Sequence, residues 1–318
     1  MKSQSTIEKG SEIEHVKLAI LGAGPAGLSA ALYAARAELE PLVLTGLSIG
    51  GQASLTHTIE NYPGFPDGVG GVELGELFQK QAERFGARFS FELVTAVEFS
   101  HRPFKITTDG RTLLADAVII TMGANPNHLN VPGETELTGK GVSYCGTCDG
   151  WFFRGKEVVV VGGGDSALEE GLFLTRFATK VTIVHRRDEL RAGAILQRRA
   201  QENDKISFIW DTVITDILGT DAVEAVRLKN VKTGAVSDFK TDGVFIFIGH
   251  TPNTQIFKDQ LEVDDKGVIA TDQRMKTNIA GVFVAGEVAD AHYRQVVTSA
   301  GMGAGAAIEA TRFLEAQE

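Results

Sequence analysis

Cysteine is nearly absent from this chain of 318 residues, which has only two. That is too few for a disulfide-stapled secreted scaffold or for a four-cysteine zinc site. Basic residues are in deficit, 31 Lys and Arg against 41 Asp and Glu, so the formal charge is −10. General nucleic-acid binding needs a basic footprint and is disfavoured. A local basic pocket for a phosphorylated small molecule remains compatible with that balance. Apolar runs of membrane-spanning length, about 18–20 residues, are also missing. The nearest, residues 16–35, contains Lys17 and the run Gly22-Ala23-Gly24-Pro25-Ala26-Gly27. Glycines and a proline there suit a strand–turn–helix rather than a signal peptide or a membrane anchor. The expectation is a soluble, cytoplasmic protein without a membrane or nucleic-acid partner, whose residues 1–14 form a flexible extension.

Glycine is abundant, with 36 residues, above the usual share of about 7%. Such an excess calls for tight turns or for loops that approach a ligand closely. Hydrophobic content of 43% and charged content of 23% are those of an ordinary folded chain. The length suits about two domains.

Two segments follow one plan. In the first, residues 16–21 read as a buried strand, 22–27 as a turn, 28–37 as a helix and 41–44 as a second strand. In the second, 157–161 is the strand, 162–164 the turn, 167–177 the helix and 180–184 the next strand. β-Branched runs alternating with helices indicate βαβ units and parallel sheets. Residues 94–107 alternate apolar and polar, 115–121 form another buried strand, and 125–133 read as a linker with Pro126 and Pro132. A matching strand at 242–248 runs into Gly249-His250-Thr251-Pro252-Asn253. The second domain is therefore expected inside the first, over residues 125–249. The first spans 15–124 and resumes over 250–318, with a strand at 282–285 and a last helix from about Gly301 to Ala316. Two chain crossings of this kind suit a hinge.

Gly22-x-Gly24-x-x-Gly27 follows a strand and opens a helix. Its glycines serve the tight turn, the approach of backbone to a pyrophosphate, and close helix–strand packing. The phosphates then meet amides at the positive end of the helix. The second strand of this unit ends in Leu44-Thr45-Gly46, with no acid to hold a ribose; Glu38 and Glu40 are poorly placed for it. The site need not be an ordinary NAD site. Gly162-x-Gly164-x-x-Ala167 is the second loop. Its next strand ends in His185-Arg186-Arg187, with Arg191 following. Guanidinium groups there favour the 2′-phosphate of NADPH over the ribose hydroxyl of NADH. A merely solvated basic turn is the bland alternative.

The two cysteines, Cys145 and Cys148, stand at i and i+3 in Cys-Gly-Thr-Cys-Asp-Gly. Thiols so spaced in a tight turn can close a small disulfide ring and reopen it, and such pairs often carry a thiol of lowered pKa. Exchange with an outside disulfide needs one attacking thiolate and one resolving thiol. Asp149, directly beside them, is placed to pass protons. Two unreactive buried cysteines, half of a zinc site completed by distant histidines, and a structural disulfide are the competing readings. Trp151-Phe152-Phe153 follow; three successive aromatics read first as core and second as an exposed docking patch.

Together these residues resemble a family. GAGPAG (22–27), GGQ (50–52), ENYPG (60–64), CGTCDG (145–150), GGGDSA (162–167), HRRDELRA (185–192), AGEVAD (285–290) and YRQVVTSAG (293–301) are similar, in that order, to the bacterial-type, low-molecular-weight thioredoxin reductases. The resemblance covers the chain from about Val16 onward. It implies an α/β fold of two Rossmann-like, glutathione-reductase-type domains, the NADPH domain inserted in the FAD domain, with FAD and NADPH as cofactors and no metal. It implies FAD contacts at Gly22, Gly24, Pro25, Ala26, Gly27, Thr45, Gly46, Gly50, Gly51, Gln52, Asn61, Gly286, Glu287, Arg294, Gln295 and Val296. It implies NADPH contacts at Gly162, Gly163, Gly164, Asp165, Ser166, Ala167, His185, Arg186, Arg187 and Arg191.

The resemblance also implies a path for electrons, from NADPH to FAD to a Cys145–Cys148 disulfide to thioredoxin. Cys145 exchanges with thioredoxin, Cys148 faces the flavin, Asp149 is the acid/base, and the NADPH domain rotates between half-reactions in a homodimer. Three residues depart from the pattern of the family: Gly146 for alanine, Glu287 for aspartate, and Met122 for threonine. Met122 has no hydroxyl to donate, which puts the role of that threonine in doubt. A related flavoprotein reductase with another disulfide acceptor, and a nucleotide-binding dithiol redox sensor, are the rival functions.

Overall fold

The computed structural model describes residues 13–56 and 58–317. The chain divides into two compact units, one holding the chain up to Ala124 and again from Pro252, the other holding Asn125–Thr251. Each is built around a glycine loop.

The first unit starts with strand β1 (Glu14–Leu21), helix α1 (Pro25–Arg36) and strand β2 (Leu42–Leu44). Pro25 occupies the first turn of α1, where its missing N–H has no partner to lose. Helix α2 (Gly71–Glu83) leads to β3 (Arg88–Ser90), and β4 (Val94–Glu98), β5 (Phe104–Thr108) and β6 (Thr112–Ile120) follow. The alternating stretch expected over 94–107 is thus two strands, paired antiparallel. β6 lies parallel to β1, giving the sheet order β3-β2-β1-β6-β5-β4. Alternate residues of β1 enter two cores: Leu18 and Ile20 pack with the alanines of α1, Ala19 and Leu21 with Phe257 and Leu261. A parallel strand covered on both faces needs such a continuous apolar run.

The expected extension over residues 1–14 lies outside the described residues except for its last two. Glu14 is no part of a free tail. It opens β1, and its carboxylate accepts from Arg88 at 2.7 Å and from Arg111.

The crossing segments are β7 (Ala124–Pro126) and β16 (His250–Pro252), which pair with each other. Between them come β8 (Val142–Ser143), α3 (Gly146–Asp149), β9 (Glu157–Val161), α4 (Asp165–Leu174), β10 (Lys180–Val184), α5 (Ala194–Gln201) and β11 (Ile206–Ile209). The antiparallel β12 (Thr212–Leu218), β13 (Ala225–Asn230) and β14 (Val236–Lys240) precede β15 (Gly243–Ile246). The parallel sheet of this unit has the order β11-β10-β9-β15-β8. β3-β2-β1-β6 and β11-β10-β9-β15 are the same arrangement about their glycine loops, so both units are Rossmann-like. β9 also feeds two cores, Val158 and Val160 on one face and Val159 and Val161 on the other.

Back in the first unit, β17 (Val282–Val284) runs along the second half of β6. Helix α6 (Val296–Glu315) then closes the chain. Sequence reading starts this helix at about Gly301. The structure starts it five residues earlier, where Val296 packs on the small cluster of Ile59, Val69 and Leu74; tertiary burial overrides propensity. Small residues let α6 lie close on α1: a Cβ on Gly303 would fall 2.8 Å from the Ala26 carbonyl carbon.

Candidate functional site

The first loop leaves β1 at the C-terminal edge of its sheet. Gly22 has φ 111°, and a Cβ there would lie 2.6 Å from the Thr121 carbonyl oxygen. Only glycine takes that turn without strain. The Thr121 hydroxyl donates to the carbonyls of Leu21 and Gly22, at 3.0 and 2.9 Å. Sequence reading passed over Thr121 while noting that Met122 has no hydroxyl. Its signal was one position away, in the same strand end.

The expected FAD residues of this unit gather here. The Gly50 amide donates to the Ala23 carbonyl at 2.8 Å, and Gly51 approaches so closely that its Cβ would be 3.0 Å from Gly24 Cα. Thr45, at the end of β2, is buried. Gly286, at φ 80°, follows β17, and a Cβ on it would be 2.9 Å from Ala26 Cβ. Asn61 donates to Gln295 Oε1 at 3.1 Å, and Gln295 is the N-cap of α6.

No side chain caps the start of α1, and a Cβ on Gly24 would meet only Gly51 Cα, at 4.0 Å. Amides facing open space at a helix start suit a pyrophosphate. Nearby, Asp290 Oδ2 is buried without a partner, while Asp290 Oδ1 accepts from the amides of His292 and Tyr293. Burial raises the Glu287 pKa; Arg294 opposes the rise and Asp290 adds to it. An unmatched acceptor beside a protonatable carboxyl group fits the hydroxyl-rich part of a dinucleotide.

The second loop repeats the plan. Gly162 has φ 150°, and a Cβ there would be 2.5 Å from the Phe247 carbonyl oxygen. A Cβ on Gly163 would collide with the His185 ring, whereas one on Gly164 would meet nothing within 4 Å. No side chain caps α4. The segment after β10 folds back over this loop: the Arg191 amide donates to the Gly163 carbonyl at 2.7 Å.

Two residues of this expected set do more than line the loop. Asp165 Oδ1 accepts from the Gly193 amide at 2.7 Å, tying the start of α4 to that of α5. His185 is buried, and its Nε2 has no partner. Burial lowers its pKa; the Glu189 backbone opposes this, and the charges of Arg191, Arg186 and Arg187 reinforce it. Arg186, Arg187 and Arg191 are exposed. The nearest acid in the segment, Asp188, is already engaged by Lys232 at 2.7 Å. Three guanidinium groups beside an open helix start fit a 2′-phosphorylated nucleotide.

Between β8 and β9 of the same unit, Cys145 and Cys148 are joined in a disulfide, with their Cα atoms 5.3 Å apart. The two cysteines are therefore a bonded pair and not separate buried thiols, and both are half-buried. Cys145 is the N-cap of α3, and its Sγ accepts from the Cys148 amide at 3.2 Å. The Thr147 hydroxyl lies 3.4 Å from the same sulfur. Ser143 joins the turn to its acid: its hydroxyl donates to Asp149 Oδ2 at 2.6 Å and accepts from the Cys145 amide at 3.1 Å. Burial raises the Asp149 pKa, and the Ser143 hydrogen bond opposes the rise. The arrangement is a reducible bond with a proton source held beside it.

Of the three aromatics that follow, the core reading holds only for Phe153, which is buried and meets Phe245 edge to face at 4.9 Å. Trp151 and Phe152 are 48% and 43% exposed. The Arg154 guanidinium lies 4.2 Å over the Trp151 ring.

The chain is similar to known proteins over nearly its whole length. A family model described as pyridine nucleotide-disulphide oxidoreductase matches residues 16–303. A thioredoxin reductase of Coxiella burnetii is 46% identical over 311 residues, 95% of this chain and 97% of that protein. One of Mycolicibacterium smegmatis is 49% identical over 300 residues, 94% of this chain and 96% of that protein. The crystal structure of a thioredoxin reductase from Streptococcus pyogenes superposes with a TM-score of 0.91 at 44% identity, covering 96% of this chain and 100% of that one. With two Rossmann-like units, two open glycine loops and a disulfide ahead of the second, the chain belongs to the thioredoxin reductases of the pyridine nucleotide-disulphide oxidoreductase family.

Proposed function

We infer that the protein is a thioredoxin-disulfide reductase, an NADPH-dependent flavoprotein. The observation that carries this reading is the Cys145–Cys148 disulfide at the start of α3, in the unit whose glycine loop is flanked by three exposed arginines. FAD is held by the residues around Gly22–Gly27, Thr45–Gln52, Asn61, Gly286–Glu287 and Arg294–Val296. NADPH is held by Gly162–Ala167, with Arg186, Arg187 and Arg191 on its 2′-phosphate and His185 beneath the loop. When bound, the two cofactors supply a hydride from the nicotinamide and its two-electron relay through the flavin.

The protein contributes placement, protons and a nucleophile. Reduction breaks the Cys145–Cys148 bond, and the two electrons and two protons taken up leave two thiols. The Cys148 amide, directed at Cys145 Sγ, favours the thiolate there. That thiolate attacks a sulfur of the thioredoxin disulfide, giving a mixed disulfide and a leaving thiolate. Cys148 then attacks Cys145 Sγ, reforms the internal disulfide and releases reduced thioredoxin. Asp149, whose pKa burial raises, gives a proton to the departing sulfur. Trp151 and Phe152 offer thioredoxin an apolar surface beside the exchanging pair.

One dithiol must meet both a flavin and an external protein. The inserted domain therefore rotates between half-reactions. Supporting this, the chain passes between units only at the two crossings, and each is flanked by a glycine in the left-handed region, Gly123 at φ 65° and Gly249 at φ 106°. The protein works as a homodimer in the cytoplasm; among the described residues, no helix is long and apolar enough to cross a membrane.

The test is NADPH-dependent reduction of a thioredoxin by the yellow holoenzyme, repeated with Cys148→Ser. Turnover that vanishes in the variant, with FAD retained, supports the reading. A yellow protein without activity toward thioredoxins of its own cell points to another disulfide acceptor, and a colourless protein that binds NADPH points to a sensor.

A further inference from the structure

A second carboxyl group reaches the dithiol, from helix α4. The Glu170 carboxyl group lies at the start of α3, where the backbone amides of Gly146 and Thr147 favour its charged form. The third amide, of Cys148, donates to Cys145 Sγ at 3.2 Å. Carboxyl group and sulfur thus share one small set of donors. The Glu170 carboxyl group fits only because residue 146 has no side chain, since a Cβ there would collide with Glu170 Oε2. That oxygen is itself buried without a hydrogen-bond partner.

The surroundings sharpen the competition. Burial raises the Glu170 pKa, the Gly146 and Thr147 amides oppose the rise, and the charge of Glu169 on the same helix adds to it. The titratable groups across from it on α3 are the two thiols, once reduced, and Asp149. A thiolate at a helix start is ordinarily stabilised by the amides there, which lowers its pKa and makes the corresponding disulfide a stronger oxidant. A carboxylate lying against two of the three amides works against that. Two negative charges brought close disfavour one another's ionised form.

We propose that Glu170 is a positioning residue of the dithiol: lying against the Gly146 and Thr147 amides in the space that Gly146 leaves, it competes with the Cys145 sulfur for the donors of that turn and makes the reduced pair more strongly reducing. Glu170 takes no part in the electron count. Reduction breaks the S–S bond with two electrons from NADPH, and a sulfur that stays thiolate simply takes up one proton fewer. The proposal rests on the redox reading of the Cys145–Cys148 pair given above.

The test uses the FAD-loaded enzyme, reduced, with iodoacetamide alkylation of each cysteine followed by peptide mass spectrometry as a function of pH. Glu170→Gln keeps the shape and removes the charge. Its reactive thiol is expected to titrate roughly one pH unit lower than in the wild type. In glutathione buffers at a pH above the thiol pKa, the dithiol–disulfide equilibrium shifts by about tenfold toward the dithiol. Gly146→Ala, which displaces the carboxyl group without altering it, gives the same direction of change, and gives none in a Glu170→Ala background. The visible flavin spectrum and the melting temperature report folding separately; where Glu170→Gln does not fold, the Gly146→Ala comparison decides. An unchanged alkylation profile and equilibrium in a folded variant overturn the proposal. Mapping keeps the two readings apart: preferential alkylation of Cys148 overturns the role assigned to Cys145, while the shift of whichever thiol reacts still decides the role of Glu170.

Discussion

Tyr144, the residue before the dithiol, donates its hydroxyl to Glu134 Oε1 at 2.8 Å. The same buried carboxylate accepts from the Leu129 and Asn130 amides at 3.0 and 2.7 Å. One carboxylate therefore ties the segment that follows the first chain crossing to the strand that delivers Cys145. Burial alone would raise the Glu134 pKa, but Tyr144 and the amides of Leu129, Asn130 and Val131 outweigh it and lower it.

Tyr144→Phe should therefore destabilise the inserted unit by about 2 kcal/mol, the worth of a hydrogen bond to a charged acceptor. Chemical denaturation of the FAD-loaded enzyme measures this. The pH dependence has a fixed sign. Because the folded pKa of Glu134 lies below its unfolded value, its contribution is complete above the unfolded carboxylate range and is lost as pH falls through the folded pKa. The stability gap between wild type and Glu134→Gln should thus narrow below about pH 4. A gap that widens on acidification would contradict the charge state assigned here.

Asp149→Asn removes the proton donor beside the disulfide and keeps the Ser143 contact possible. Thioredoxin turnover should fall by about 10²-fold or more, with the flavin spectrum unchanged. Ser143→Ala removes the hydrogen bond that opposes the burial of Asp149. Its Asp149 pKa should rise further, moving the corresponding limb of the pH–rate profile to higher pH; a limb that stays in place would separate Asp149 from proton transfer.

Arg186→Ala with Arg187→Ala should raise the KM for NADPH about tenfold or more, since each guanidinium–phosphate pair is a charge-assisted bond. The KM for NADH should hardly change. Steady-state kinetics with both nucleotides decides the matter, and equal effects would count against a 2′-phosphate site.

Gly22→Ala tests the first loop. A side chain at φ 111° costs about 1–3 kcal/mol of backbone strain, and its Cβ would also press on the Thr121 carbonyl. FAD should be lost on gel filtration, while the second unit still binds NADPH. Thr121→Val, which removes the hydroxyl from Leu21 and Gly22, should weaken FAD retention to a lesser extent. Full retention in both variants would remove the loop from the flavin site.

Much of this architecture was legible in the order of the residues. Glycine spacing, a buried apolar run before each loop and the Arg-Arg pair after β10 are local signals, because a strand covered on both faces and a phosphate-cradling turn each demand particular side chains at fixed offsets. The strands Glu157–Val161 and Lys180–Val184 fall where the apolar run predicts them, residue for residue. The start of α6 was not legible, because Val296 is helical on account of what it packs against.

By itself, the sequence determined two Rossmann-like units, the chemistry of their loops and a pair of cysteines three apart. The tertiary structure decided what surrounds those groups. Thr121 closing the first loop, His185 buried beneath the second, Glu134 binding Tyr144 and Glu170 beneath Gly146 are all contacts between residues far apart in the chain or on different elements. Burial and shared hydrogen-bond donors depend on which elements meet, and spacing along the chain carries no record of that.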